Sequence, residues 1–221
     1  MLLSTTVSFG LEYEVRRDGT AVLTAIGSCT DTCITVPQFF EGKTVVAVAD
    51  NAFKGNSDII SIKLPSSVSS IGKNAFAWCR RLEAVIGGGL VEIGAKAFAG
   101  CDSLADLGLG KKLKRIGAKA FAYCPSLTSA YLPDSVYEMG AAVFEGCRNL
   151  DTVVLPSSLR IVENGTFYAC TSLRRVEIPT TLKYIDEYAF AYCVSLDMIA
   201  ISKQTVTNKN AFFESQIKIA C

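Results

Sequence analysis

Hydrophobic positions along this chain recur with a period of 22 or 23 residues. Phenylalanines stand at Phe53, Phe76, Phe98, Phe121, Phe144, Phe167, Phe190 and Phe212. Three residues behind six of them comes a cysteine: Cys79, Cys101, Cys124, Cys147, Cys170 and Cys193. Six residues behind comes an aliphatic side chain: Ile59, Leu82, Leu104, Leu127, Leu150, Leu173 and Leu196. So many residue types held in register define an internal repeat, and the repeat dictates everything else about the fold.

Each unit changes periodicity halfway. Leu173, Val176 and Ile178 end in alternation, the pattern of a short strand with one buried face. Ile116, Ala120, Phe121, Cys124 and Leu127 are spaced three to four apart, which predicts a helical or 3₁₀ turn with one apolar side. Pro65, Pro133, Pro156 and Pro179 close the strands, since proline has no N–H for the next rung of a ladder. A unit this short cannot bury both apolar faces alone; stacked on its neighbours it buries them continuously. The strand-plus-turn repeat length falls in the leucine-rich-repeat range.

The phrase Ile116-Gly117-Ala118-Lys119-Ala120-Phe121-Ala122-Tyr123-Cys124-Pro125-Ser126-Leu127 resembles the BspA-like leucine-rich repeats of bacterial and protist surface proteins. The resemblance covers about residues 34–213. It implies a repeat solenoid: a right-handed leucine-rich-repeat superhelix with a concave parallel β-sheet and short helical or 3₁₀ turns on the convex side. It also implies adhesion or recognition at a cell surface, or in secreted form. Gly87-Gly88-Gly89 and Gly108-Leu109-Gly110 replace the strand-end proline, which puts local regularity there in question, but not the fold. Residues 1–221 read as one domain: 1–33 an N-terminal β-hairpin cap, 34–213 the repeats, and 214–221 a terminal strand. The cap rests on Leu11 to Arg16 and Ala21 to Ile26 flanking Asp18-Gly19, a hairpin turn signal. The terminal strand rests on the alternation of Ile217, Ile219 and Cys221.

Composition narrows the chemistry. The chain has 221 residues, 22 basic and 21 acidic, so no strong global field draws it to nucleic acid or anionic lipid. Half the residues are hydrophobic, yet no run of roughly 18 apolar residues exists to form a membrane-crossing helix, and membrane insertion is not expected. Met1 to Val7 lacks a basic segment followed by an apolar one, so no secretory signal is expected in the chain as it stands. With no histidine, Ser-His and Cys-His pairs, imidazole acid–base chemistry and His-ligated zinc are excluded. The expectation is a non-enzyme with no cofactor and no metal.

The cysteine column reads first as small buried thiols. The competing readings are disulfides or a metal site. Matching residues of adjacent coils lie about 4.8 Å apart, more than the roughly 3.8 Å Cβ separation of a disulfide, and a column is a line rather than a convergent ligand set. Cys29 and Cys33 fall outside the column, in an expected loop, and an odd total of nine leaves one thiol over, which slightly favours a reducing location. Gly89 and Gly94 have Walker spacing, but Ala95 stands where lysine is needed. Lys111, Lys112, Lys114, Arg115 and Lys119 form a basic run that neighbouring coils do not continue, so nucleic acid is not an expected partner.

The remaining candidate is the outward face of the strands. If Val153 and Leu155 point inward, Val154 points out, and register fixes the rest. The candidate binding residues are Lys63, Ile86, Tyr131, Val154, Arg174, Arg175 and Glu177, with Tyr131 beside Val154 as the anchor. The arginines and Glu177 supply charge complementarity. The expected partner is a protein, with glycan as a second ligand class and self-association through an open C-terminal coil as an alternative function. A rival surface is the tyrosine series Tyr184, Tyr188 and Tyr192, spaced by four.

Overall fold

The structure, a computed structural model, describes residues 7–87, 89–215 and 217–220. Met1–Thr6, Gly88, Gln216 and Cys221, the last carrying part of the expected terminal alternation, lie outside them. The chain winds as a β-solenoid in which each unit contributes to three inter-coil ladders. No helix forms among the described residues, and none is long and apolar enough to cross a membrane.

The first ladder is the predicted strand series. Cys33–Thr35, Ser61–Lys63 and Ala84–Ile86 pair in parallel, as do Ser129–Tyr131, Thr152–Val154 and Arg175–Glu177, and Met198–Ala200 pairs with Lys218–Ala220. In these strands the central residue faces in: Ile62, Val85, Ala130, Val153 and Ile199 are buried while their neighbours are more open. Cys33 is thus a strand residue rather than the loop residue expected, because it pairs with Ser61.

A second ladder was not anticipated. The two-residue strands Ser70–Ile71, Glu92–Ile93, Arg115–Ile116 and Glu138–Met139 pair in parallel, and Ile161–Val162, Tyr184–Ile185 and Val206–Thr207 form a further stretch. Ile116 therefore belongs to this ladder and not to the turn with which its spacing grouped it. The N-terminal hairpin of Glu12–Val15 and Ala21–Ala25 caps the second ladder by pairing with Lys43–Val48. The Asp18 carboxylate accepts from Thr20 N–H at 2.9 Å and closes the Asp18-Gly19 turn. The extra residues before the first regular unit form a small hairpin, Phe39–Phe40 against Lys43–Val48.

The turn around each phenylalanine is the third ladder, and it corrects the expected helical or 3₁₀ turn. Ala77 and Cys79 N–H donate three residues back, to Asn74 and Phe76 (3.1 Å each). Phe76 and Trp78 N–H instead cross to Ala97 and Ala99 of the next coil (2.8 and 2.7 Å). From Asn51 to Tyr192 two residues per unit take a left-handed backbone, here Asn74 (φ 54°) and Trp78 (φ 64°). A left-handed residue every fourth place breaks a right-handed helix, and alternate N–H groups are already engaged between coils.

The core runs the length of the solenoid. Phe53, Phe76, Phe98, Phe121, Phe144, Phe167 and Phe190 stack coil upon coil with centroids 5.0 to 5.6 Å apart, and Phe212 continues the series at 5.6 Å. The column cysteines are buried free thiols with a second role: each donates to the carbonyl oxygen of the preceding coil's phenylalanine. The distances run from Cys79 Sγ to Phe53 O at 3.0 Å to Cys124 Sγ to Phe98 O at 3.2 Å. In the last unit Ser215 stands at the cysteine position, and its hydroxyl donates to Phe190 O at 2.7 Å. Burial pushes the Cys79, Cys124 and Cys193 thiols up to about 12, and raises those of Cys101, Cys147 and Cys170 as well.

Candidate functional site

The outward face of the first ladder carries the sequence-predicted residues in two groups. Lys63 is paired directly with Ile86, and Tyr131 with Val154 and then Glu177. Arg175 pairs with Thr152 in the neighbouring row. Ile86 is 56% exposed and Tyr131 66%, while Val154 is half-buried between Tyr131 and Glu177. Met198, on the same ladder, is 62% exposed. Arg174 precedes its strand and is engaged, its Nη1 lying 2.9 Å from Asp151 Oδ1. A hydrogen bond from Thr152 and the guanidinium of Arg174 hold the Asp151 carboxyl below its ordinary value.

What separates the two groups is the glycine unit. Between Ile86 and Tyr131 the ladder reduces to one bridge, Ala84 to Asp106. Gly108 takes a left-handed backbone (φ 52°), and its N–H donates to Asp106 Oδ1 at 2.9 Å, folding the chain back where a strand would continue. A Cβ at Gly108 would lie 2.5 Å from Val85 O, so the coil packs too closely for any side chain there. The interruption opens a cleft of about 390 Å³ lined by Asp106, Leu107, Gly108, Leu109, Ser129 and Tyr131. Gly108-Leu109-Gly110 signalled the irregularity in the sequence, whereas Ala84–Ile86, ahead of Gly87, pairs regularly with Ser61–Lys63; that the Gly108 unit forms a cleft against Tyr131 did not follow from the pattern.

The basic run is dispersed. Arg115 pairs with Glu92 on the second ladder, and Lys119 lies 2.9 Å from Glu145 on the turn face, leaving Lys111, Lys112 and Lys114 exposed. The tyrosine series splits too. Tyr188 and Tyr192 meet Phe213 edge-on at 6.0 and 5.7 Å, and Tyr192 meets Tyr168 at 5.3 Å, whereas Tyr184 sits in the second ladder. Among the described residues no cluster of three or more Cys, Asp or Glu side chains is placed to hold a metal ion. The face presents exposed apolar side chains, a few charges and a cleft.

Comparison with known proteins agrees with this geometry. The profile of the BspA type leucine-rich repeat region matches residues 27–150 and 114–220, in six copies. The crystal structure of the T. pallidum leucine-rich repeat protein superposes with a TM-score of 0.82 at 31% identity, covering 86% of this chain and 90% of that one. A leucine-rich repeat protein from Bacteroides ovatus superposes with a TM-score of 0.72 at 24% identity, over 91% of this chain and 60% of that one. A search of curated proteins finds no match. Stacked phenylalanines, the thiol column and the parallel strand ladder are the structural expression of that repeat, and the chain belongs to the BspA-type leucine-rich repeat family.

Proposed function

We propose that this chain is a noncatalytic recognition module that binds a protein partner through the outward face of its first ladder. The observation that carries the reading is the cleft at Gly108, lined by Tyr131, with Ile86 exposed at the end of the preceding strand of the same ladder. Exposed aromatic and aliphatic anchors beside a concavity are the residues that carry interface energy, while the flanking Lys63, Arg175 and Glu177 set orientation and discrimination. The resemblance to BspA-like surface proteins implies a surface-adhesion role. The test is affinity capture with immobilised protein, comparing the native chain with a Tyr131→Ala/Arg175→Glu variant and with Trp78→Ala, which alters the turn face alone. A partner lost with the first variant and retained with the second supports the strand face. Equal recovery by the first variant removes it.

A second reading is self-association. Val206 and Ile219, in the last strands of the two ladders, are exposed at the C-terminal end, and Lys218–Ala220 pairs with Met198–Ala200 on one side. Exposed apolar side chains on paired strands are a surface against which a second copy can pack. Sedimentation over a concentration series tests it: a mass that stays monomeric argues against stacking.

A further inference from the structure

Trp78, the one tryptophan in the chain, stands on the turn face two residues after a core phenylalanine. The fold holds this position left-handed in every unit from Gly55 (φ 73°) to Glu214 (φ 53°), which favours glycine. Gly55, Gly100 and Gly146 comply, but Trp78 and Tyr123 alternate with them. The alternation has a geometric reason. A Cβ on Gly100 would lie 2.3, 2.6 and 2.8 Å from Cε3, Cζ3 and Cδ2 of Trp78. Near-equal approach to three ring atoms places Gly100 beneath the face of the indole, not off its edge. Gly146 packs against Tyr123 nearer the ring's edge: a Cβ there would lie 2.6 Å from Cδ1 and 2.8 Å from Cε1 but 3.6 Å from Cγ.

Two aromatic rings are therefore laid along the turn face on glycine seats, with Trp78 48% and Tyr123 46% exposed. The Tyr123 hydroxyl donates to Glu145, which also holds Lys119, so the hydroxyl end of the ring is fixed. Between the rings runs a groove of about 180 Å³ floored by Ala77, Ala99 and Ala122 and edged by Asn74, Lys96 and Lys119. An exposed π face attracts either a cation or polarised C–H groups. Lys96 on the rim opposes a cation, whereas its ammonium donors suit hydroxyl and carboxylate oxygens. A nucleic-acid strand would stack as well, but it needs an unbroken basic track beside the rings. Here Arg80 faces Asp102 at 3.7 Å and Lys119 is taken by Glu145.

We propose that the turn face binds a glycan chain, with pyranose rings stacking on Trp78 and Tyr123. The two platforms are two coils apart, about 10 Å at ~4.8 Å per coil, so the ligand is an oligosaccharide long enough to reach both. This site is independent of the strand face and of the partner proposed for it.

Because Trp78 is the sole tryptophan, its fluorescence reports occupancy directly. Titration with cellohexaose, chitohexaose and a galacturonate hexamer should give a saturable emission change with at least one of them. Tyr123→Ala should weaken that hexamer about tenfold, a loss of one stacking contact, and leave the matching disaccharide unaffected. By calorimetry Trp78→Ala should abolish binding while Tyr131→Ala binds as the native chain does; unchanged urea midpoints show that the variants are folded. No saturable binding to any of the three at millimolar concentration overturns the proposal. So does binding that survives Trp78→Ala, binding lost with Tyr131→Ala, or a preference for oligothymidylate over every hexasaccharide.

Discussion

The thiol of Cys147 donates to the carbonyl oxygen of Phe121, one coil earlier, at 3.1 Å. The bond satisfies a carbonyl sealed inside the core, where an unpaired acceptor costs about 1–3 kcal/mol. Cys147→Ala removes the donor and leaves a small void, so a loss of about 1–3 kcal/mol is expected. Cys147→Ser keeps a donor, as Ser215 does in the last unit, and should lose less. Urea midpoints for the two variants decide the matter: an alanine variant at least as stable as the serine variant would show that the thiol acts by volume alone.

The same thiol ties stability to alkaline pH. Burial raises the Cys147 thiol well above its ordinary 9.0 in the folded chain. Below pH 9 the thiol is neutral in both states, and its contribution is fully present. Above it the unfolded chain ionises while the folded chain does not, so stability falls by about 1.4 kcal/mol per pH unit for each thiol. The advantage of the native chain over Cys147→Ser should therefore shrink by about 2 kcal/mol between about pH 8 and about pH 10.5. Paired denaturation curves across that range would show it; a constant difference would mean that the thiol ionises alike in both states.

Phe144 stacks on Phe121 and on Phe167, each at 5.6 Å, whereas Phe53 stacks only on Phe76 within the column. In a solenoid, stability is a sum over units and neighbour interfaces. Phe144→Ala should cost on the order of 3–5 kcal/mol, and Phe53→Ala distinctly less. Thermal or urea unfolding of the pair checks the order, and equal losses would show that the rings act as isolated core residues and not as a stack.

The sequence made the repeat, the buried thiols and the outward register legible because each rests on side-chain type at a fixed spacing. Lys63 beside Ile86 and Tyr131 beside Val154 follow from counting alone. The second ladder left almost no trace, since a two-residue strand such as Glu92–Ile93 is too short to alternate. The turn misled for a different reason. Its spacing of three to four is shared by a helix and by successive β-turns, and what separates them is backbone φ at residues such as Lys119 and Tyr123, which do not advertise a left-handed conformation. Only Asn51, Asn74 and the glycines hinted at it. The thiol bonds were hidden because cysteine is read as a small hydrophobe. The glycine seats were visible only once Trp78, Gly100, Tyr123 and Gly146 were aligned as a single position.

The ladders are interrupted, but never at the same joint. The strand series thins to one bridge at Asp106, where Glu92, Arg115 and Glu138 continue the second ladder unbroken. The second ladder lapses between Glu138–Met139 and Ile161–Val162, where Ser129–Tyr131 and Thr152–Val154 are fully paired. The phenylalanine turns are bonded across both places, through Phe98 N–H to Ala120 O, Phe121 N–H to Val143 O and Phe144 N–H to Thr166 O. The arrangement is that of bricks laid with offset seams. A crack opening at the Gly108 cleft meets intact courses on the other two walls, so one face can be carved into a mouth without dividing the column into two separately melting halves.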